Sequence, residues 1–353
     1  MREYKNYIRR KVIILSAAVL LLPLVLFYSL TAGPADISCS EVIRILLGFD
    51  APENKGRIIF YARLPQAIAA ILAGAGLSVA GASVQSVLRN PLCSPFTLGI
   101  SGAAAFGAAL TVFFAGTSIS AVQQPLGGLG INFGFQLSVT AGAFLSSIAA
   151  TVFILALAVR CQSKPETVIL MGVALGAFYG ACIMLLQYFA DERQLAAIVY
   201  WSFGDTQRAT WSSLLPIAVL VAVSCLYFIS QCWNYNALAL GEEAAASVGT
   251  PTQRVRLLTM IFASLITAVL TASLGVIGFI GLVVPHLARL IIGCDYRFVI
   301  PFSLVVGAVF LLAADTFSRV ILPGRLMPVS IITAFLGAPV FLLMLTGKGR
   351  TDA

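Results

Sequence analysis

Side chains that could carry proton or ion chemistry are scarce in this sequence. Within its apolar segments the clear candidates are Asp315 and His286. Asp315 lies four residues before Arg319, a spacing that favours an ion pair on one face of a helix. His286 has no cysteine or carboxylate close to it in the sequence, so no metal site is predicted. For both residues we expect local pairing that holds helix ends rather than a titratable relay.

The motifs of nucleotide and metal chemistry are also missing from the sequence. The nearest string to a phosphate-binding loop, Leu345–Gly349, lacks the upstream glycine and the Ser or Thr that must follow the lysine. We therefore predict that the chain is not an enzyme and holds no cofactor, and that any ATP hydrolysis takes place on another subunit. The seven cysteines include no CxxC pair and predict neither a disulfide framework nor a zinc site.

The polar segment 233–256 is the most informative part of the chain. Its centre, Gly241–Gly249, has glutamates at the start, alanines in the middle and a glycine at the end, followed by Pro251. This order is expected of a short helix. A short polar helix between two membrane spans is either an ordinary solvated loop or a docking element for a partner on that side. Spacing alone leaves these two interpretations even.

The composition defines the environment of these segments. Hydrophobic residues make up 59% of the 353 residues and charged residues 10%, and the mean hydropathy is +0.98. Soluble globular proteins carry about 25% charged residues, so the class is a membrane protein in contact with lipid. The net charge of +8 comes from basic residues scattered singly between apolar segments, which predicts no nucleic-acid partner. No A-x-A cleavage site follows Val12–Leu30, which predicts an uncleaved first span.

Apolar runs of about 20 residues, each long enough to cross ~30 Å of hydrocarbon, recur along the sequence. They predict an all-α polytopic protein, because open strands would leave backbone polar groups unsatisfied in lipid. Span 278–293 is short and contains Pro285, so we expect it to be broken or to cross only part of the membrane. The ten predicted spans are 12–32, 64–88, 94–115, 137–159, 167–189, 211–232, 257–276, 278–293, 299–321 and 328–346.

The charges between the spans predict their orientation. With the N-terminus inside, fourteen of the 22 Lys and Arg residues fall on the inner side. This bias predicts that both termini are cytoplasmic. The chain is then a single membrane domain, 1–353, with a cytoplasmic tail at 1–11 and a cytoplasmic segment at 238–256. Small residues recur every four positions in 71–85, which predicts close helix contacts in lipid.

Several segments together resemble the FecCD-type, or type II, permease family of ABC importers for iron–siderophores, haem and vitamin B12. The resemblance covers about residues 63–345 in the family's order. Its most specific signals are RNPL-x-x-P, LGEE-x-A-x-x-x-G and GFIGL-x-x-PH-x-x-R. The matching segments are 63–65 with 71–108, 170–178, 238–249, and 275–297 continuing through 313–319 to 333–345.

The resemblance implies a homodimer of ten-helix subunits with a translocation path at the dimer interface. It also implies two cytoplasmic ABC ATPase subunits, which bind the ATP, and an extracytoplasmic substrate-binding protein. The stretch 241–249 matches the family's ATPase-coupling segment, which favours docking over the solvated-loop interpretation. The implied coupling residues are Leu240, Gly241, Glu242, Glu243, Ala246 and Gly249.

Arginines on the outer side are implied to dock the binding protein. Arg63 matches the family's RLP arginine, Arg319 follows the AD motif, and Arg325 is an additional arginine nearby. A guanidinium suits bidentate pairing with the carboxylates of such a partner. The alternative is that each arginine anchors a helix end, which competes strongly at Arg319 because of Asp315.

The sequence departs from the family's pattern mainly on this outer side. Gln66 stands where the family's RLPR motif ends in arginine, which removes one candidate contact. Segments 201–204 and 326–330 also differ from the family's strings. We therefore expect the contacts with the binding protein, rather than the class of transport, to differ from the family's.

Helix ends marked by proline near the coupling segment predict a cytoplasmic gate. Asn90, Pro91 and Leu92 begin the turn after the second span, and Pro165 and Glu166 begin the fifth span from the same side. We expect these turns to move with the coupling segment. The position of Glu166 is equally consistent with a carboxylate that the helix dipole favours at a helix start.

The expected function is ATP-driven import of an iron–siderophore or a similar bulky metal chelate, such as haem or cobalamin, across the inner membrane. The alternative is an ion-coupled secondary transporter, which the scarcity of intramembrane acids disfavours. A third interpretation is a channel or a membrane scaffold, which the resemblance disfavours.

Overall fold

A computed structural model of the chain describes residues 2–49, 53–119, 133–160, 165–322 and 326–347. Apart from turns, short connections and one isolated β-bridge, the described residues are helical. The helices are α1 (Arg2–Thr31), α2 (Cys39–Leu46), α3 (Glu53–Ile58), α4 (Leu64–Val87), α5 (Ile100–Ile119), α6 (Phe133–Arg160), α7 (Pro165–Phe189), α8 (Glu192–Ser202), α9 (Trp211–Ser230), α10 (Cys232–Ala239), α11 (Glu242–Ser247), α12 (Thr252–Leu274), α13 (Ile280–Ile292), α14 (Tyr296–Val320) and α15 (Val329–Gly347).

Each of the ten predicted spans corresponds to an apolar helix. Among the described residues, seven helices are long and apolar enough to cross a membrane: α1, α4, α6, α7, α9, α12 and α14. The other three spans have shorter apolar stretches, Ile100–Ala115 in α5, Ile280–Ile292 in α13 and Val329–Leu343 in α15. The chain is therefore an all-α polytopic membrane protein, as the sequence predicts.

Two ends of the bundle follow from the order of the helices. The first, which we name the α11 end, carries α10, α11, the turn 88–99 and the start of α7. The opposite end, which we name the α8 end, carries α2, α3, α8 and the connection 275–279.

Helix α13 is short, as predicted, but Pro285 does not break it. Its 13 residues reach about 20 Å, less than the ~30 Å of a hydrocarbon core, so it spans only part of that thickness. Proline removes the N–H that would bond to the carbonyl four residues earlier, here that of Gly281. The Gln85 side chain of α4 donates to this carbonyl at 3.3 Å. A neighbouring helix thus supplies the missing donor, which lets the helix continue.

Helix α4 is surrounded by other helices over almost its whole length, and nearly all of its residues are buried. Two of its glycines allow the closest approaches. A Cβ atom added to Gly74 would collide with the backbone of Gly307 in α14, and one added to Gly81 would collide with the backbone of Gly281 in α13. Since lipid provides no hydrophobic drive between helices, such backbone contacts hold the bundle together. The predicted small-residue contacts are confirmed.

The contact at Gly81 can be tested against a helix glycine with open space around it. A Cβ atom at Gly180 of α7 would meet nothing within 4 Å. We expect Gly81→Ala to destabilise the protein by about 1–3 kcal/mol, because α4 and α13 must move apart. We expect Gly180→Ala to be neutral or stabilising by up to about 1 kcal/mol, because alanine is the better helix former. Thermal unfolding in detergent, followed by circular dichroism, measures both. Equal melting temperatures for the two variants would contradict the role of the Gly81 contact.

Candidate functional site

The segment 241–249 forms the predicted short helix outside the membrane bundle. Helix α11 is flanked by Gly241, with φ at +120°, and Gly249, with φ at +83°. Both angles lie in the region that side chains other than glycine rarely adopt. Gly249 donates its N–H to the Ala246 carbonyl, which closes the C-terminal end of the helix. The two glycines thus define where α11 begins and ends.

Helix α11 presents most of its surface to solvent. Ala245 is buried and attaches the helix to the bundle. Leu240 and Val248, one on each side of the helix, are 79% and 71% exposed. The predicted coupling residues Glu242, Glu243, Ala246 and Gly249 are exposed as well. The result is a small knob with apolar side chains at both ends and acidic groups between them.

Helix α10, which precedes this knob in the chain, is hydrogen-bonded to the membrane bundle. The Tyr235 hydroxyl is buried against the Thr259 hydroxyl of α12 at 3.0 Å. Asn236 donates to Asp295 at 2.9 Å and accepts from the Tyr296 amide at 2.8 Å. Burial opposes ionisation of Asp295, but hydrogen bonds from Arg297 and Asn236 outweigh it and hold the pKa of this carboxyl at about 2. Helix α10 is therefore tied to both α12 and α14.

The coupling segment and part of the predicted gate face one cavity. This cavity, of about 660 Å³, lies at the α11 end and is bounded by the end of α4, the start of α7 and the first turn of α11. Pro165 and Glu166 line it together with Arg89 and the residues Leu240–Ala244. Asn90 accepts from the Leu92 amide at 2.8 Å and stabilises the neighbouring turn. The structure thus places the first part of the coupling segment beside Pro165 and Glu166, whereas Asn90, Pro91 and Leu92 do not line this cavity.

At the α8 end, the structure pairs two of the three predicted docking arginines, Arg63 and Arg319, with groups of the same chain. Arg63 is 4% exposed and donates to the carbonyls of Leu30, Thr31 and Ala35 at 2.6, 3.0 and 2.6 Å. These carbonyls lie at the end of α1 and just beyond it, where a helix leaves its last carbonyls unpaired. Arg63 therefore ties the end of α1 to the start of α4.

Arg319 is also 4% exposed and forms the ion pair with Asp315 that the sequence predicts, at 3.0 Å. It donates as well to the carbonyls of Ser29 and Ala32 and to the Ser29 hydroxyl. These contacts favour the anchoring interpretation of both arginines, and docking stays a prediction. Arg325 lies outside the described residues.

Asp315 is the centre of this polar cluster. Its carboxylate accepts from the Gln66 amide at 2.8 Å and from the Thr206 hydroxyl, in addition to the Arg319 pair. Burial raises the pKa of the neighbouring Asp205 carboxyl above its usual value, although the Gln207 amide and Arg208 favour its charged form. The cluster joins α4, α14 and the segment between α8 and α9.

A comparison with known protein families decides the identity of this fold. The FecCD transport family matches residues 20–347. This chain belongs to the FecCD transport family.

Relatives of this FecCD chain are similar over most of their length. The protein MJ0087 of Methanocaldococcus jannaschii, provisionally named an ABC transporter permease, is 44% identical over 98% of this chain and 97% of its own. The hemin transport system permease HmuU of Yersinia pestis is 32% identical over 91% of this chain and 93% of its own. A solved structure of an inward-facing ABC transporter, provisionally described as of metal-chelate type, has a TM-score of 0.81 at 28% identity, covering 95% of this chain and 99% of that one.

Sequence reasoning about this FecCD protein missed two polar side chains. We interpreted Gln66 as the loss of a docking contact, whereas it is buried and donates to Asp315. A signal was present, because an amide at the start of an apolar helix must find a partner and Asp315 is a carboxylate within another span. Arg256 is the second, since it lies against α11 and α4. No local pattern marks it, because its contacts depend on how the helices pack.

The anchoring role of Arg319 predicts a large effect on stability. Arg319→Gln removes one member of a buried ion pair and leaves Asp315 uncompensated, which should cost about 3–5 kcal/mol. Adding Asp315→Asn removes the unpaired charge and should recover part of this loss. Arg44→Gln, at an exposed position of α2, serves as the control and should change stability by less than about 0.5 kcal/mol. Thermal unfolding of the purified variants is the measurement, and a loss for Arg319→Gln no larger than that for Arg44→Gln would exclude the anchor.

Proposed function

We propose that this chain is the permease subunit of a binding-protein-dependent ABC importer that carries a bulky metal chelate into the cytoplasm. Membership in the FecCD family and the ABC permease names of its relatives support the transport class. The exposed helix α11 is the observation that carries the mechanism, since it gives a separate motor a defined element to grip. ATP is then bound and hydrolysed on partner subunits.

The proposed cargo is an iron–siderophore or a similar chelate, such as haem or cobalamin. The name of one relative gives hemin as its cargo. The description of the similar solved transporter gives a metal chelate. Such cargoes are too bulky to pass between tightly packed helices of one subunit. We therefore propose a homodimer, with the path between the two copies.

We propose that the chain lies in the inner membrane and that its α11 end faces the cytoplasm. The excess of Lys and Arg on that side supports it. Both termini are then cytoplasmic, two ABC ATPase subunits bind the α11 knobs of the dimer, and the binding protein approaches the α8 end. Arg319 lies beside an outer groove of about 490 Å³, which Gly33 and Ser38 also line, and we propose that the binding protein docks at this groove.

The proposed mechanism is alternating access. Nucleotide binding on the ATPase subunits moves α11, and the cavity that α11 shares with Pro165 and Glu166 conveys the movement to the gate. The gate consists of these two residues and the turn at Asn90, Pro91 and Leu92. An ion-coupled mechanism is less well supported, because Asp315 is engaged by Arg319, Gln66 and Thr206.

Reconstitution tests the energy source directly. The permease is placed in proteoliposomes with its ATPase subunits and binding protein, and uptake of a labelled ferric hydroxamate, hemin and cobalamin is measured. We expect uptake of at least one cargo to require ATP on the ATPase side and to persist when ionophores collapse the proton and sodium gradients. Uptake at full rate without ATPase subunits, or its loss with ionophores alone, would contradict the proposal.

A bulky substitution on the exposed face of α11 tests the docking surface. Ala246→Trp places a large side chain on the knob without entering the core, since Ala246 is exposed. We expect it to weaken binding of the ATPase subunits by about tenfold or more, equivalent to about 1.4 kcal/mol. Ala196→Trp, at an exposed position of α8 at the opposite end, is the matched control and should leave this affinity unchanged. Affinity is measured with the permease in nanodiscs, and equal binding by both variants would argue against α11 as the docking element.

A further inference from the structure

One guanidinium connects the α11 knob to the ends of two membrane helices. Arg256 lies in the second turn of α12 and forms an ion pair with Glu242, in the first turn of α11. Its Nε donates to the carbonyl of Val87, the last residue of α4, at 3.4 Å. The Arg256 side chain is 16% exposed and that of Glu242 is 45% exposed. The pair therefore lies at the boundary between the bundle and the solvent.

The contact with Val87 reaches the turn that leads to the predicted gate. A helix end leaves its last carbonyls without intrahelical donors, and a cation there is favoured by the dipole. Arg89, two residues later, has φ at +48°, a conformation that few residues other than glycine adopt. The chain then enters the turn at Asn90. Arg256 thus touches α4 at the last residue before its direction changes.

A carboxylate on another helix also interacts electrostatically with this guanidinium. Glu166, in the first turn of α7, lies within electrostatic range of Arg256. Glu166 and Glu242 also line the same cavity. Arg256 therefore contacts a carboxylate on α11 and a carbonyl on α4, and interacts electrostatically with a carboxylate on α7. The guanidinium has five N–H donors in a planar fork, which suits it to contacts in several directions at once.

We propose that Arg256 is the positioning residue that transmits movement of α11 to the gate. The inference rests on the proposed function and adds the route by which the docked motor acts. When the motor displaces α11, Glu242 draws Arg256 with it, and the ends of α4 and α7 follow because the same side chain faces both. Because the Glu242 side chain is 45% exposed, the ion pair is partly screened by solvent and is weak enough to break and form again during each cycle. A rigid apolar contact would resist such a change.

Neighbouring residues of the same type provide matched controls. Arg254 and Glu243 are exposed and lie two residues and one residue away from the proposed pair. Arg254→Gln and Glu243→Gln remove the same charges as Arg256→Gln and Glu242→Gln. A general effect of charge on the α11 end would therefore appear in all four variants. An effect of the specific link between Arg256 and Glu242 appears only in Arg256→Gln and Glu242→Gln.

The experiment uses the complete complex of permease, ATPase subunits and binding protein in nanodiscs. Nitroxide labels at Leu92 and Thr167, both exposed, report the distance between the two sides of the gate by pulsed electron spin resonance. ATP with vanadate traps the motor, and ATPase affinity and hydrolysis rate are measured on the same samples. No cargo is needed for this readout.

In the Arg256→Gln complex, we expect the ATPase affinity and the rate of ATP hydrolysis to equal those of the wild type. We expect the ratio of shifted to unshifted gate distances to fall by about fivefold, the effect of one partly solvent-screened ion pair on a two-state equilibrium. Glu242 also lies on the proposed docking surface, so Glu242→Gln is measured at saturating ATPase subunits, where it should lower the same ratio by a similar factor. The double variant should lose no more than the larger single loss, because both changes break one link.

Two results would each overturn this inference and leave the proposed function standing. One is a full shift of the gate distance in Arg256→Gln and Glu242→Gln. The other is a fall in the ratio of shifted distances that is equally large in Arg254→Gln and Glu243→Gln. A purely structural role would lower the melting temperature and the ATPase affinity together with the shift. Failure of the wild-type permease to bind the ATPase subunits would instead overturn the proposed function, and this inference with it.

Discussion

The packing of α4 inside a membrane bundle is the constraint on which the rest of the structure depends. A helix enclosed by its neighbours in lipid gains nothing from hiding apolar surface, so its contacts must come from close backbone approach. Gly74 and Gly81 provide that approach to α14 and α13. The approach to α13 in turn brings Gln85 to the carbonyl that Pro285 leaves free, and Arg289 holds the same amide at 2.7 Å. One close contact therefore permits a short helix with an internal proline.

The same helix carries polar contacts at its two ends and small or apolar residues between them. At the α8 end, Arg63 and Gln66 tie it to the end of α1 and to Asp315. At the α11 end, Gln85 and the Val87 carbonyl meet Arg289 and Arg256. Polar groups are costly in hydrocarbon and are satisfied here by one another. Helix α4 thus connects the α8 end, where we propose that the binding protein docks, with the α11 end, where we propose that the ATPase subunits bind.

The membrane spans and helix α11 differ in how their charged groups are placed. The described spans hold a charged pair that is satisfied internally, Asp315 with Arg319, and α11 stands outside the bundle on a base fastened to α12 and α14. As an ABC permease, the protein receives its energy from ATPase subunits, and we propose that α11 is the element through which this energy enters. The relatives of this FecCD chain are named as permeases, one provisionally of an ABC transporter and one of a hemin transport system.

Local patterns in the sequence determined a large part of this fold. The ten spans follow from hydropathy, α11 from its glycines and glutamates, and the Asp315–Arg319 pair from a spacing of four residues on one helix. The coupling residues required the family resemblance, since spacing alone left docking and a solvated loop even. Only the tertiary structure decided that Gln66 reaches Asp315, that Arg63 holds the end of α1, and that Arg256 lies between α11 and Val87. These partners are far apart in the chain, and whether their side chains meet depends on which helices pack together, which hydropathy and local spacing do not encode.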